Sequence, residues 1–208
     1  PSFGAARREV AGVTGYAVLA HAGNVADLAT FRIDTLVLAG WWGARELGIY
    51  AAAVNVAEVV LYLPSAVATV LLPHRSANEP VPPAVLVRTL GLVTAAAAGV
   101  AAAGVAAAPW VVDLLYPAGF ERAVGPLRVL FVAMVGTSVR RVLAAELAAV
   151  GRQGAASVVA VVTLVAIVAL DLLLIPEHGA DGAAWASAAA YLLGGALIGV
   201  VVTRRRPL

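Results

Sequence analysis

Long apolar runs, separated by short breaks rich in glycine, proline and charge, dominate this chain. Of its 208 residues, 62% are hydrophobic and 12% are charged, and the mean hydropathy is +0.94. A soluble domain has roughly a quarter of its residues charged and just under half apolar, so an ordinary soluble fold is excluded. A disordered chain is excluded as well, because it would be poor in apolar residues. The pattern is typical of a polytopic membrane protein.

Six runs are long enough to cross a bilayer, which needs about 20 apolar residues of helix. They cover residues 12–39, 47–72, 84–108, 123–150, 155–175 and 182–203. None alternates apolar and polar residues over the length of a membrane strand, so strands are not expected. The runs therefore predict an all-α fold, a helical membrane bundle of six transmembrane helices that occupies residues 1–208 as a single unit.

Arginines in the breaks and termini predict the orientation of this bundle. Eight fall on one side: Arg7, Arg8, Arg75, Arg88, Arg152, Arg204, Arg205 and Arg206. Two fall on the other side, Arg45 and Arg122. Because basic residues accumulate in cytoplasmic loops, we expect a multi-pass protein of the cytoplasmic membrane with both termini in the cytoplasm. The chain begins with Pro1, with no signal-peptide pattern after it, and we expect it to be part of a longer protein.

Polar side chains interrupt three of the six runs. The first run contains His21, Asn24, Asp27, Arg32 and Asp34. At 100° per residue, Asn24, Asp27 and Asp34 share one stripe of a continuous helix. The second run contains a polar face of Asn55, Glu58, Tyr62, Ser65 and Thr69, together with Pro64, which predicts a kink. The fourth run contains Thr137, Arg140 and Arg141.

An ionisable residue inside a membrane helix costs about 2.5–3.5 kcal/mol and normally faces a cavity or a partner. The candidate substrate or cavity residues are Arg32, Asp34, Asp27, Asn55, Glu58, Arg140 and Arg141, and the candidates for proton or ion coupling are Glu58, Asp34 and His21. Structural roles remain open beside these. Arg32 can neutralise Asp27 or Asp34. Arg140 and Arg141 can extend toward the cytoplasmic interface. His21 can be a neutral, hydrogen-bonded histidine. The other three runs are nearly free of polar residues and are predicted to be scaffold.

No pattern for catalysis or for a cofactor is present. The chain has no cysteine, which excludes disulfides, thiolate metal sites and catalytic thiols. We find no nucleophile elbow, no glycine-rich phosphate loop and no cluster of histidines and carboxylates at metal-ligand spacing. Its net charge of +2 is too small to indicate nucleic acid as a partner. We therefore predict no enzymatic activity, no cofactor and no metal.

Five stretches, in order along the chain, resemble the second half of the bacterial oligosaccharide flippases. They are FRIDTLVLAGWWGARELGIYAAAVNVAE, LPSAVATVLLPHRSA, LYPAGFERAVGPLRVL, LAAVGRQG and LLLIPEHGADGAAWASAAAY. This family belongs to a superfamily that also includes multidrug and toxin exporters and the lipid II flippase. The chain departs from the family at Pro117, where glycine is usual, and it has no lysine for a phosphate site.

The resemblance implies one lobe of a two-lobed exporter, with the N-terminal lobe absent from this chain. Its implied function is to flip a polyprenyl-diphosphate-linked oligosaccharide for cell-surface polysaccharide assembly, by rocking of the lobes. The implied partners are that lipid-linked glycan, membrane lipids and the missing lobe. A cation-coupled multidrug exporter and a lipid II flippase remain as alternatives. The charge of the cavity separates the first two, since a flippase cavity should be net cationic and a drug-exporter cavity net anionic.

Overall fold

The computed structural model describes residues 18–62, 64–66 and 83–204, and these residues are helical apart from short turns. The helices are α1 (residues 18–30), α2 (Ile33–Ala57), α3 (Pro83–Leu115), α4 (Val124–Ala149) and α5 (Gln153–Thr203). Short 3-10 segments follow α2 at Glu58–Leu61 and precede α4 at Glu121–Ala123. No strand occurs in the described residues, and the prediction of an all-α fold is confirmed.

Gly43 divides α2 into two antiparallel halves. Its φ of 76° and ψ of −170° are not helical, and glycine adopts a positive φ without the steric penalty of a Cβ. Beyond the turn the chain runs back along itself, so that the hydroxyl of Tyr50 donates to Asp34 at 2.5 Å. The turn lies within the break predicted at residues 40–46.

Gly179 divides α5 in the same way, with φ of 56° and ψ of −130°. The two halves lie side by side, because a Cβ built on Gly194 would be 2.7 Å from Oγ1 of Thr163. The turn lies within the break predicted at residues 176–181. α5, which spans 51 residues, is therefore a hairpin of two helices joined at Gly179.

α3 continues through Pro109 and ends at Leu115, so its predicted end at residue 108 is wrong. Proline lacks the N–H that would bond the carbonyl four residues earlier, which here belongs to Val105. Arg128 of α4 donates its Nε–H to this carbonyl at 3.2 Å. A side chain from the neighbouring helix thus replaces the missing backbone donor, and the helix is not broken.

α4 and α5 approach until their backbones touch. A Cβ built on Gly136 would lie 2.8 Å from the carbonyl oxygen of Tyr191, and one built on Gly195 would lie 2.8 Å from that of Gly136. Small residues permit such approach in membrane bundles, where packing rather than the hydrophobic effect holds helices together. Gly195 of α5 and Gly136 of α4 therefore allow the close approach of these two helices.

Glu46 joins three connections at one end of the bundle. Its buried side chain forms a salt bridge with Arg122 and accepts the backbone N–H of Ala180 at 3.3 Å. Beside it, Nε1–H of Trp42 donates to the carbonyl of Ile175 at 2.7 Å. The sequence assigned Glu46 to a break between helices, whereas the structure places it inside α2 and uses it to hold the turns together.

Among the described helices, two are long and apolar enough to cross a membrane by length and composition, Ala84–Leu115 within α3 and Gln153–Thr203, which is α5. The predicted run at 12–39 begins outside the described residues, and the predicted run at 47–72 ends outside them. All but the last residue of the loop at 73–83 lies outside them as well. Six single residues named in the predictions also lie outside them: Arg7, Arg8, Thr69, Arg75, Arg205 and Arg206.

Candidate functional site

A groove with a charged lining lies where α1, α4 and the segment after α2 meet. It consists of two adjoining cavities of about 410 and 350 Å³, which share Leu28, Phe31, Ser65 and Arg141 as lining residues. The charged residues that line it are Asp27, Arg32, Glu58, Arg140 and Arg141. We call it the arginine groove.

Arg140 is the neutralised cation of the groove. Its Nη1 lies 2.5 Å from Oδ1 of Asp27, so the pair connects α4 to α1. The Arg140 side chain is only 6% exposed, whereas that of Asp27 is 38% exposed and reaches the opening. A buried guanidinium requires such a partner, because an isolated charge in the interior is costly.

Arg141 is bound differently, although it is the next residue. Its Nη1 donates to Oγ of Ser65 at 2.7 Å, and its guanidinium carbon lies 5.5 Å from the ring centroid of Phe31. Hydroxyl and ring face hold the guanidinium in position without neutralising it. Asp27 and Glu58 attract it through space, but it forms no salt bridge with the residues that the structure describes.

Arg32 and Glu58 line the second cavity. Arg32 is exposed and follows α1 at a turn in which the helix is interrupted, with φ of −133° and ψ of −14°. Glu58 is half-buried and begins the 3-10 segment. This segment includes Val60, whose carbonyl is the one that Pro64 leaves without its helical donor, so the irregularity occurs where proline predicts it.

The structure brings five of the predicted site residues together and leaves three apart. Asp27, Arg32, Glu58, Arg140 and Arg141 line the arginine groove. His21 and Asn55 are exposed and line neither cavity. Asp34 is buried elsewhere in the bundle.

The single stripe predicted for Asn24, Asp27 and Asp34 is therefore wrong. The stripe assumed one continuous helix, and the chain is not helical at Phe31 and Arg32, so the angular relation is lost between α1 and α2. Asn24 and Asp27 stay at the groove. The proposed pairing of Arg32 with Asp27 is not formed either, because Asp27 binds Arg140.

Asp34 belongs to a buried polar layer between α2 and the second half of α5. Its carboxylate accepts the hydroxyls of Tyr50 at 2.5 Å and Ser187 at 3.3 Å, and the backbone N–H of Thr35 at 2.6 Å. Tyr191 of the same layer stacks at a tilt on Phe31, with ring centroids 5.4 Å apart. The Phe31 ring thus separates the arginine groove from the buried layer.

Asp171 is a buried carboxylate that the sequence analysis missed. It lies in the first half of α5 with no exposed surface, and neither carboxylate oxygen has a hydrogen-bond partner among the described residues. The prediction that the fifth and sixth runs are nearly apolar scaffold is corrected by Asp171 and by Ser187, both fully buried in α5. The signal was a single carboxylate inside an otherwise apolar run.

The groove is suited to binding an anion. Three arginines face two carboxylates, and one of those carboxylates is already paired. No group of three histidines, cysteines or carboxylates that could hold a metal ion occurs in the described part of the chain. The chain matches no protein-family model, no curated protein and no solved structure.

Proposed function

We propose that the chain is a six-helix lobe of a membrane transporter that flips a polyprenyl-diphosphate-linked oligosaccharide across the cytoplasmic membrane by alternating access. The observation that supports this most directly is the arginine groove. Arg141 and Arg32 carry positive charge that no salt bridge with a described residue neutralises. An arginine fork matches the oxygens of a phosphate, so a groove of this kind suits a diphosphate headgroup.

Six membrane crossings follow if each glycine hairpin crosses twice. The turns at Gly43 and Gly179 divide α2 and α5, which with α3 and α4 gives six helical segments when α1 and the first half of α2 are counted as one crossing. Both termini then lie on the same side. This count supports the in/in topology of our proposal.

The exposed tryptophans lie at one end of this bundle, which also has Arg45 and Arg122, while the sequence predicts eight arginines at the other end. The exposed tryptophans lie near the Glu46 end: Trp41, Trp42, Trp110 and Trp185. The arginines in or near the described connections at the other end are Arg88, Arg152 and Arg204. Tryptophan is enriched at membrane interfaces and arginine on the cytoplasmic side. The Glu46 end is therefore the external end in our proposal.

A cation-coupled drug exporter of the same superfamily is the second candidate, and the groove argues against it. Its cavity should be net anionic, whereas the lining here has three arginines against two carboxylates. The sequence offered three arginines and three carboxylates as candidate cavity residues. Because Asp34 lies outside the groove, two carboxylates remain against the three arginines. A lipid II flippase would bind the same diphosphate chemistry and is separated from our first proposal only by its glycan.

The test uses the full-length protein in its native cell, after deletion of the gene. Wild-type protein should restore surface polysaccharide and prevent lipid-linked oligosaccharide from accumulating in the inner leaflet. Arg141→Ala should reduce transport about 10- to 100-fold at a normal protein level, since one charge-assisted contact is worth about 1.5–3 kcal/mol. Arg141→Lys, which keeps the charge but not the fork, should be intermediate.

Arg88→Ala is the matched control, because Arg88 is exposed on α3 and does not line the groove. It should transport as the wild type does. Normal polysaccharide after deletion, together with lost tolerance to cationic drugs, would favour the exporter. Unimpaired transport by Arg141→Ala would remove the groove from the mechanism.

A further inference from the structure

Asp171 is the one buried carboxylate of the described residues that has no hydrogen-bond partner, and Oγ1 of Thr137 is the other buried side-chain atom without one. Asp171 is 0% exposed, and both carboxylate oxygens are without a hydrogen bond in the described residues. Asp34, by comparison, is almost as deeply buried and accepts three hydrogen bonds. Neither cavity of the arginine groove includes Asp171.

Its surroundings do not compensate a negative charge. The ionisable groups that interact with it electrostatically are Asp34 of α2 and Tyr191 of the second half of α5. Asp34 repels an ionised Asp171, and Tyr50 donates its hydroxyl to Asp34 instead. Arg140 of α4 acts electrostatically on Tyr191 of this layer, but it is bound to Asp27 of α1.

A carboxyl group in such a place is stable only when it is neutral. Burying an isolated carboxylate costs far more than burying the acid, so the group takes up a proton instead. When two carboxyl groups lie near each other, they do not both ionise, and the one with hydrogen-bond donors keeps the charge. Asp34 has three donors and Asp171 has none.

We propose that Asp171 is a proton-binding site, which holds a proton in the conformation described here and releases it to water when the transport cycle hydrates α5. In the release step the O–H bond of the carboxylic acid breaks, the carboxylate keeps the electron pair, and water accepts the proton. The bound state stands on the geometry alone. The release step rests on the proposed transport function.

A proton fits this site better than a metal ion does. Neither Asp171 oxygen has a hydrogen-bond partner among the described residues, so Asp171 is the one protein ligand identified there for a metal ion. Sodium and other hard cations need several oxygen ligands, whereas a proton needs only one. The occupant that we assign is therefore H⁺.

The first experiment records infrared spectra of the purified full-length protein in H₂O and D₂O at neutral pH. The wild type should show the carbonyl stretch of a protonated carboxylic acid, which shifts in D₂O. Asp171→Asn should lack this band. Asp113→Asn, which changes an exposed aspartate of α3, should keep it.

Asparagine imitates the neutral acid in shape, so the proposal also requires Asp171→Asn to fold and insert normally. A variant that fails to fold would contradict a neutral Asp171. If the wild type and Asp171→Asn do not differ in the carbonyl band of protonated carboxylic acids, Asp171 is ionised and the assignment is overturned. Loss of the band when Na⁺ replaces choline at constant pH would identify a metal-ion site instead.

The second experiment measures transport driven by a pH gradient in the complemented cells. Asp171→Asn should lose this transport at a normal protein level, while Asp113→Asn keeps it. If the infrared band is present and Asp171→Asn transports normally, the release step is overturned and the proton-binding site stands. If wild-type protein moves no lipid-linked oligosaccharide at all, the proposed function fails independently of the infrared result.

Discussion

At the scale of residues, Arg140 and Arg141 are adjacent in sequence but differ in whether a salt bridge neutralises them. Arg140 points into the bundle and is neutralised by Asp27, while Arg141 stays charged between Ser65 and Phe31. Both line the groove, but consecutive residues of a helix are 100° apart, so the Arg140 side chain is buried in its wall and that of Arg141 is partly exposed. We therefore separate a structural arginine from a ligand-binding one.

Asp27→Ala should destabilise the bundle, since it leaves the buried guanidinium of Arg140 without its partner. An unsatisfied buried donor costs about 1–3 kcal/mol, and a charged one costs more, about 3–5 kcal/mol when one partner of a buried pair is removed. The double variant Asp27→Ala/Arg140→Leu should recover most of the loss, because the stranded charge is gone. Thermal unfolding in detergent measures both. Equal loss in the single and double variants would contradict the pair as the cause.

Arg32→Ala should not be rescued by Asp27→Asn or Asp34→Asn. The two aspartates have other partners, Arg140 and Tyr50 respectively, so removing Arg32 strands neither. Arg32→Ala should reduce transport with the protein still present in the membrane. Immunoblotting of membranes together with the polysaccharide assay checks this, and recovery of transport in a double variant would return Arg32 to a role in charge neutralisation.

At the scale of elements, glycine decides how helices meet. Gly136 lies where the backbone of α5 touches α4, while Gly199 of α5 has open space around its missing Cβ. Both are helical, so alanine should favour the helix itself by about 1 kcal/mol at either position. Packing therefore distinguishes the two.

Gly136→Ala should lower the unfolding midpoint, since its Cβ would approach the backbone of Tyr191 to 2.8 Å and force the helices apart. Gly199→Ala, the matched control, should leave the midpoint unchanged or raise it. Differential scanning fluorimetry of the purified variants measures the difference. A midpoint for Gly136→Ala at or above the wild-type value would show that the contact is relaxed at no cost.

At the scale of the whole molecule, the tryptophans near the Glu46 end and the eight-to-two excess of arginine predicted for the other end indicate the orientation. A reporter inserted in the Gly179 turn should be active only in its external form. Reporters in the Gly151 turn or after Leu208 should be active only in their cytoplasmic form. The reverse pattern would contradict six crossings with both termini inside. Reporters in the Gly179 and Gly151 turns that indicate the same side of the membrane would contradict it as well.

The sequence alone determined the helical class and several turns, because hydrophobic run length and glycine or proline punctuation are local properties. The residues around Gly43 and Gly179 were by themselves sufficient to predict a break at each position. Pro109 is an exception, since the carbonyl that it leaves free is satisfied by Arg128, a residue of another helix. Local chemistry predicted a break, and a tertiary contact removed it.

Only the tertiary structure decided which polar residues meet. Helical periodicity relates residues of one continuous helix, and the turn at Phe31 and Arg32 ended that relation, so Asp34 separated from Asp27. The partners of Arg140 and Arg141 are more than 70 positions away along the chain. Asp171 stands out only once its surroundings are known, because the absence of partners is a property of the packed neighbours and not of the residue itself.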